Sequence, residues 1–166
     1  MIAFEYHLDL LADYISAIPL TFFFGFLYNA LVTVQPYSIF YWKCLIGILI
    51  TTITTEIIKQ FPYPENIRTV TRRPIGAKNT DFLSKNGLCK KDAPGFPSGH
   101  MSSTAFFATI SVLYLSTNIE ISKFISALLV FMMGWSRWFK GVHNLTQIIG
   151  GTFYGIGCAY ITSYFI

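Results

Sequence analysis

The sequence predicts an all-α, polytopic transmembrane helix bundle of about five spans. The chain is 53% hydrophobic and only 12% charged, whereas a soluble domain carries about a quarter charged residues. Long apolar runs alternate with short polar segments, and eight of the twelve lysines and arginines fall within residues 59–91. A length of 166 residues favours one domain, 1–166. Basic stretches embedded between apolar runs argue against nucleic acid as a partner and for the lipid bilayer.

Five segments can serve as spans, since a hydrocarbon core of about 30 Å requires roughly 20 apolar residues in a helix. They cover residues 14–34, 38–58 and 97–116, a fourth segment that ends near Trp138, and residues 143–166. Lys43 and Glu56 lie near the ends of the second segment, where their charged groups can reach water. Residues 1–13 are compatible with an amphipathic helix on the membrane surface.

The order of the spans places two polar loops on the same side of the membrane. One loop is 59–96, which contains four prolines and most of the charge, and the other is 137–143. Ten of the twelve basic residues lie on that side, and the positive-inside rule would make it cytoplasmic. The rule is confounded where basic residues bind a ligand, so the sequence leaves the compartment open.

The tetrapeptide Pro97-Ser98-Gly99-His100 lies where the polar loop meets the third apolar segment. Proline suits the first turn of a helix, and accessible N–H groups at Ser98 and Gly99 would add to the positive potential of the helix N-terminus. His100 would then hold a titratable imidazole beside an anion site, as a general acid requires. A helix cap with an incidental histidine is an equally good interpretation of this motif alone.

A second set lies between the last two apolar segments and contains Arg137, His143 and Gln147. The guanidinium of Arg137 can bind phosphate oxygens as a planar fork. Gln147 follows His143 by four residues and so shares its helical face. Its carbonyl can accept a proton from one imidazole nitrogen and leave the other free to attack. The alternative is that Arg137 and Lys140 are interfacial anchors and His143 is an interface histidine without a catalytic role.

Together with Arg73-Pro74, these sets resemble the three motifs of the type 2 phosphatidic acid phosphatase superfamily. The family pattern is Lys-x6-Arg-Pro, Pro-Ser-Gly-His and Ser-Arg-x5-His-x3-Asp. The second motif is complete here, and the third reads Ser136-Arg137-x5-His143-x3-Gln147. The resemblance covers residues 59–166, and the joint spacing is more specific than any one motif.

The sequence departs from the family pattern at two positions. Asn66 occupies the position of the first-motif lysine, and the nearest upstream lysine is Lys59, separated from Arg73 by thirteen residues. Either the loop carries an insertion, or another cation, Arg68, Arg72 or Lys78, takes the role. Gln147 replaces the family's aspartate and can orient an imidazole without stabilising its charge. Related glucose-6-phosphatases and dolichyl diphosphatases are similar in carrying Gln there, so the replacement does not predict inactivity.

The resemblance implies a mechanism as well as a fold. His143 would attack phosphorus and form a phosphohistidine, Gln147 would orient that imidazole, and His100 would protonate the leaving oxygen. Neither metal nor another cofactor is expected, because the motifs lack the carboxylate cluster that Mg²⁺ prefers. The implied phosphate ligands are Lys59, Arg73, Ser98, Gly99 and Arg137.

We therefore expect an integral membrane phosphatase acting on a lipid phosphate or a polyprenyl diphosphate, with an active-site loop at 59–97 and a catalytic core at 59–166. The alternative is a non-catalytic membrane protein that binds anionic lipid head groups. Two further patterns receive structural interpretations. Gly151-x3-Gly155 is typical of close helix packing. The sequon at Asn144 adjoins the candidate site and is a poor glycan acceptor.

Overall fold

The structure is a computed structural model that describes residues 2–77 and 93–165, with side chains from residue 5 onward. Within these ranges it is helical, without a strand, and the predicted all-α class is confirmed. One isolated antiparallel bridge joins Arg72 and Pro94. The helices are α1 (Ile2–Ser16), α2 (Ile18–Val32), α3 (Tyr37–Lys59), α4 (Arg68–Thr71), α5 (Gly99–Ile110), α6 (Ile119–Phe139) and α7 (Leu145–Tyr164).

Three helical stretches in the described ranges are long and apolar enough to cross a membrane. They are Glu5–Val32, which combines α1 and α2, then Tyr37–Lys59 and Ile119–Phe139. The other two predicted spans correspond to α5, extended by a π-helical turn at Ser111–Leu115, and to α7. Those two crossings stay predictions, because α5 and α7 do not meet the same criteria of length and apolarity.

The boundary predicted between a surface helix and a first span near residue 13 is wrong. Helix α1 continues to Ser16, and Ala17 alone separates it from α2. Pro19 explains the position of the break. Proline has no N–H to donate and is tolerated in the first turn of a helix but not in its interior, so a new helix begins just before it. Helix α1 packs against α6, which places the N-terminal segment beside the loop that follows α6.

Helix α5 is the centre of the bundle, since it packs against α2, α3, α6 and α7. Its closest neighbour is α7, and two glycines allow the approach. A β-carbon at Gly151 would lie 2.6 Å from the carbonyl oxygen of Ser98, and one at Gly155 would overlap the backbone of Ser102. The predicted packing role of the Gly151-x3-Gly155 pattern is confirmed.

The end of α6 and the start of α7 are fixed by two capping motifs. Gly141 has a φ of +62°, its N–H donates to Trp138 O at 2.9 Å, and the N–H of Val142 donates to Arg137 O at 3.1 Å. This pair of bonds is a Schellman motif. Asn144 and Gln147 form a capping box at the start of α7. His143 is therefore held between two well-defined helix ends.

Candidate active site

The two ends of the polar loop are bound to each other immediately before α5. The N–H of Arg73 donates to Ala93 O at 2.9 Å, and the N–H groups of Gly95 and Phe96 donate to Thr71 O at 2.9 and 3.1 Å. The segment that carries Arg73 therefore lies against the segment that leads into the Pro97–His100 motif.

Gln147 joins all three motif segments. Its side-chain Nε2 donates to Arg72 O at 2.6 Å and to Val70 O at 3.0 Å. The backbone carbonyl oxygen of Gln147 accepts a hydrogen bond from the N–H of Ser98 at 3.1 Å. The side chain is fully buried. Loops that are far apart in sequence thus converge on one residue at the start of α7.

The same side chain determines which nitrogen of His143 carries hydrogen. His143 Nδ1 and Gln147 Oε1 are 2.9 Å apart. The carbonyl oxygens of Val70 and Arg72 can only accept hydrogen bonds. The amide nitrogen of Gln147 must therefore point toward them, which turns the amide oxygen toward the imidazole of His143. Nδ1 must then donate, which leaves the lone pair of Nε2 unprotonated. This arrangement gives His143 a nucleophilic nitrogen.

His143 is in the neutral form near pH 7. The side chain is 3% exposed, and burial lowers its pKa to about 3. The hydrogen bond to Gln147 opposes that shift, whereas the positive charges of Arg73, Lys59 and Arg137 add to it. Three cations therefore lie within electrostatic range of this imidazole, and their field favours a bound anion.

Arg137 lies in the last turn of α6 and is completely buried. Its Nη2 donates to Ser136 Oγ at 3.2 Å, and its backbone oxygen accepts the N–H of His143 at 3.4 Å. An interfacial anchor would extend into the head-group layer, so the anchor interpretation is wrong for Arg137. Lys140 does not fit it either, because its side chain is 7% exposed and pairs with carboxylates of α1.

The start of α5 differs from the prediction in two respects. Pro97 precedes the helix, which begins at Gly99 with Ser98 as its N-cap. The N–H of Ser98 is taken by Gln147, so the accessible backbone donors begin at Gly99, among the first N–H groups of the helix that lack an intrahelical acceptor. The Ser98 hydroxyl is buried, makes no capping bond, and has no partner in the described ranges. A bound phosphate oxygen would satisfy it.

Lys59 is the first-motif candidate that the fold brings to the site. It ends α3 and is mostly buried. Its Nζ lies 2.5 Å from Glu56 Oε1 and 3.5 Å from the position that a β-carbon would take on Gly99. Arg68, by contrast, is half-exposed and pairs with Glu65 at 2.8 Å. Of the other two candidates, Arg72 is half-buried beside Pro94, and Lys78 lies outside the described residues.

His100 occupies the first turn of α5, within electrostatic range of Arg137, His143, Lys59 and Arg73. All eight residues predicted from the sequence therefore meet at one end of the bundle. Sequence reasoning missed the backbone carbonyls that Gln147 binds, and it missed the contact of α1 with the α6–α7 loop. Asp9 and Asp13, one helical turn apart on α1, were the available signal for the second.

The described residues bring an imidazole, three cations and a buried hydroxyl together on a helical scaffold, a set of groups whose chemistry suits a bound phosphate. A family model described as the PAP2 superfamily matches residues 40–166. The chain belongs to that superfamily. This membership supports a phosphatase-type hydrolase as the class of enzyme. No curated protein and no solved structure gives a match.

Proposed function

We propose that this protein is an integral membrane phosphatase that hydrolyses a lipid phosphate or a polyprenyl diphosphate through a phosphohistidine at His143. The observation that carries the proposal is the hydrogen-bonded amide of Gln147, which leaves His143 Nε2 unprotonated within electrostatic range of three cations. Family membership supports the reaction class.

In the first step, the Nε2 lone pair of His143 forms a bond to phosphorus while the bond from phosphorus to the leaving oxygen breaks. His100, protonated when the bound phosphate anion offsets the surrounding cations, donates a proton to that oxygen. In the second step, water attacks phosphorus, the phosphorus–nitrogen bond breaks, and the water proton passes to His100. The nitrogen returns to its starting state, and inorganic phosphate leaves.

The remaining residues stabilise charge on the phosphoryl oxygens. Arg137 and Arg73 supply guanidinium groups, Lys59 supplies an ammonium group, and the buried Ser98 hydroxyl and the Gly99 N–H supply donors at the helix N-terminus. Phosphoryl transfer depends largely on such positioning and electrostatic stabilisation. Few other groups are needed, because histidine provides both the nucleophile and the acid.

A lipid substrate is favoured by where the site lies relative to the apolar helices. Lys59 ends α3, and Arg137 lies in the last turn of α6, two helices that are long and apolar enough to span a membrane. Groups at the ends of such helices are at the depth of lipid head groups. A phosphate ester with its tail in the bilayer can reach groups at that depth without leaving the membrane.

The test is phosphate release by the purified protein in detergent with EDTA, using phosphatidate, a polyprenyl diphosphate and a soluble aryl phosphate. We expect release from at least one lipid, inhibition by vanadate and loss of release in His143→Ala. His7→Ala, which changes an exposed histidine of α1, is the matched control and should remain active.

Each contrary result has a distinct meaning. Release from the aryl phosphate alone would overturn the lipid substrate. Loss of all release on chelation would overturn the metal-independent mechanism. A wild-type protein that is as inactive as His143→Ala on every substrate would favour a head-group-binding protein without catalysis.

A further inference from the structure

We propose that α1 is part of the active-site frame and that Asp13, Lys140 and Ser136 are positioning residues for Arg137. In this arrangement, an ion pair and a hydrogen bond from α1 hold the last turn of α6, so that the Arg137 guanidinium faces the phosphate pocket. The inference rests on the proposed function, because it takes phosphate to be the ligand of Arg137.

The hydrogen bond passes through a single buried oxygen atom. Ser136 Oγ donates to Ala12 O at 2.8 Å and accepts from Arg137 Nη2 at 3.2 Å. Ser136 and Ala12 are both fully buried. A hydroxyl has one hydrogen and two lone pairs, so the direction of its donated bond determines where it can accept. The backbone of α1 therefore sets the orientation of the acceptor that Arg137 uses.

The ion pair holds the other end of the same turn. Lys140 Nζ lies 2.5 Å from Asp13 Oδ1 and 3.4 Å from Asp9 Oδ1. Lys140 lies between Arg137 and His143 in the chain, and its side chain is almost completely buried. Its charged ammonium group therefore requires a carboxylate partner. Neutralising Asp13 leaves the enclosed ammonium with only the longer contact to Asp9 at 3.4 Å, and the turn that carries Arg137 must shift to compensate.

The α1 side of this contact lies outside the family pattern. The PAP2 match begins at residue 40, whereas α1 ends at Ser16. The motifs therefore do not account for the contact between α1 and α6. A helix that served only as a membrane anchor would need neither a buried hydrogen bond to Ser136 nor two carboxylates around Lys140.

The experiment uses the full chain in detergent and vanadate as the phosphate probe. Asp13→Asn keeps the size of the side chain, and because Asp13 is about half exposed, the variant should fold. We expect its vanadate affinity to fall about three- to thirtyfold, the range of coupling through positioning contacts. Ser136→Ala should weaken vanadate binding in the same range. Asp13→Asn combined with Lys140→Met should bind no more weakly than Asp13→Asn alone, because the buried charge is gone.

The matched control is Glu120→Gln, which breaks the exposed pair with Lys123 in the first turn of the same helix and should leave vanadate affinity unchanged. Asp13→Asn and Ser136→Ala proteins with wild-type vanadate affinity and wild-type kcat/KM would overturn the inference, whatever their thermal stability. In that case the proposed function would stand. A wild-type protein that neither binds vanadate nor releases phosphate would instead remove the proposed function, and the positioning role with it.

Discussion

Replacing Gln147 by Glu tests the role of its amide, because the two side chains have the same shape. The wild-type Nε2 donates to Arg72 O and Val70 O. An ionised carboxylate would place an oxygen against those two carbonyl oxygens in a fully buried position. Two buried acceptors would lose their donor at about 1–3 kcal/mol each, so the free energy of unfolding should fall by about 2–6 kcal/mol.

The same change separates two explanations of activity. A carboxylate is a better acceptor for His143 Nδ1–H than an amide oxygen. If Gln147 only oriented the imidazole, Gln147→Glu would be at least as active as wild type. We expect at least a tenfold lower kcat/KM instead, since repulsion displaces the segment that carries Arg73.

Thermal unfolding and phosphate release in detergent provide the two measurements. Gln35→Glu makes the same chemical change at an exposed turn and should alter neither. A Gln147→Glu protein with wild-type stability and wild-type or higher activity would refute the assignment of the amide as a donor to the loop. Gln147→Asp, which restores the family residue, should also lower activity, because it lacks the same donor.

Three further predictions follow from the packing and charges. Because the pKa of His143 is about 3 when folded and about 6.5 when unfolded, only the unfolded chain binds a proton between these values. The unfolding free energy should therefore fall as pH drops from about 7 to 4, less steeply in His143→Asn; equal slopes would contradict the shift. Gly155→Ala should lower the thermal midpoint by wedging α7 from α5, whereas Gly157→Ala, with open space around it, should not; equal midpoints would count against the packing. Lys59→Met should weaken vanadate binding about ten- to a hundredfold, the value of a charge-assisted bond, whereas Lys43→Met at the other end of α3 should bind normally; the assignment of Lys59 fails if both bind alike.

The fold class and the pairing of the polar loops could be predicted because they depend on local signals. The length of an apolar run predicts a membrane span. Two loops separated by an even number of spans are predicted to lie on the same side of the membrane. The break at Ala17 could not be placed, because apolar composition continues across it from Glu5 to Val32. Only Pro19, in the first turn of α2, indicates the break, and one proline is compatible with several positions for the helix start.

The site residues could be named from motif spacing, but their contacts could not. Nothing in a sequence shows that Gln147 binds two backbone carbonyls, because every residue has the same backbone carbonyl group whatever its side chain. The contact of α1 with Lys140 depends on tertiary packing of segments more than 120 residues apart. The prediction that the Ser98 N–H is accessible was wrong, because that group donates to the backbone oxygen of Gln147.

The most direct test of the account is to identify the residue that carries phosphorus during turnover. Wild-type protein would be mixed with substrate, quenched in alkali and digested, and the peptides would be examined by mass spectrometry for a phosphoryl group. The account predicts a phosphoryl group on His143 that is absent from His143→Ala. A phosphoryl group on any other residue, or phosphate release by His143→Ala at the wild-type rate, would contradict it.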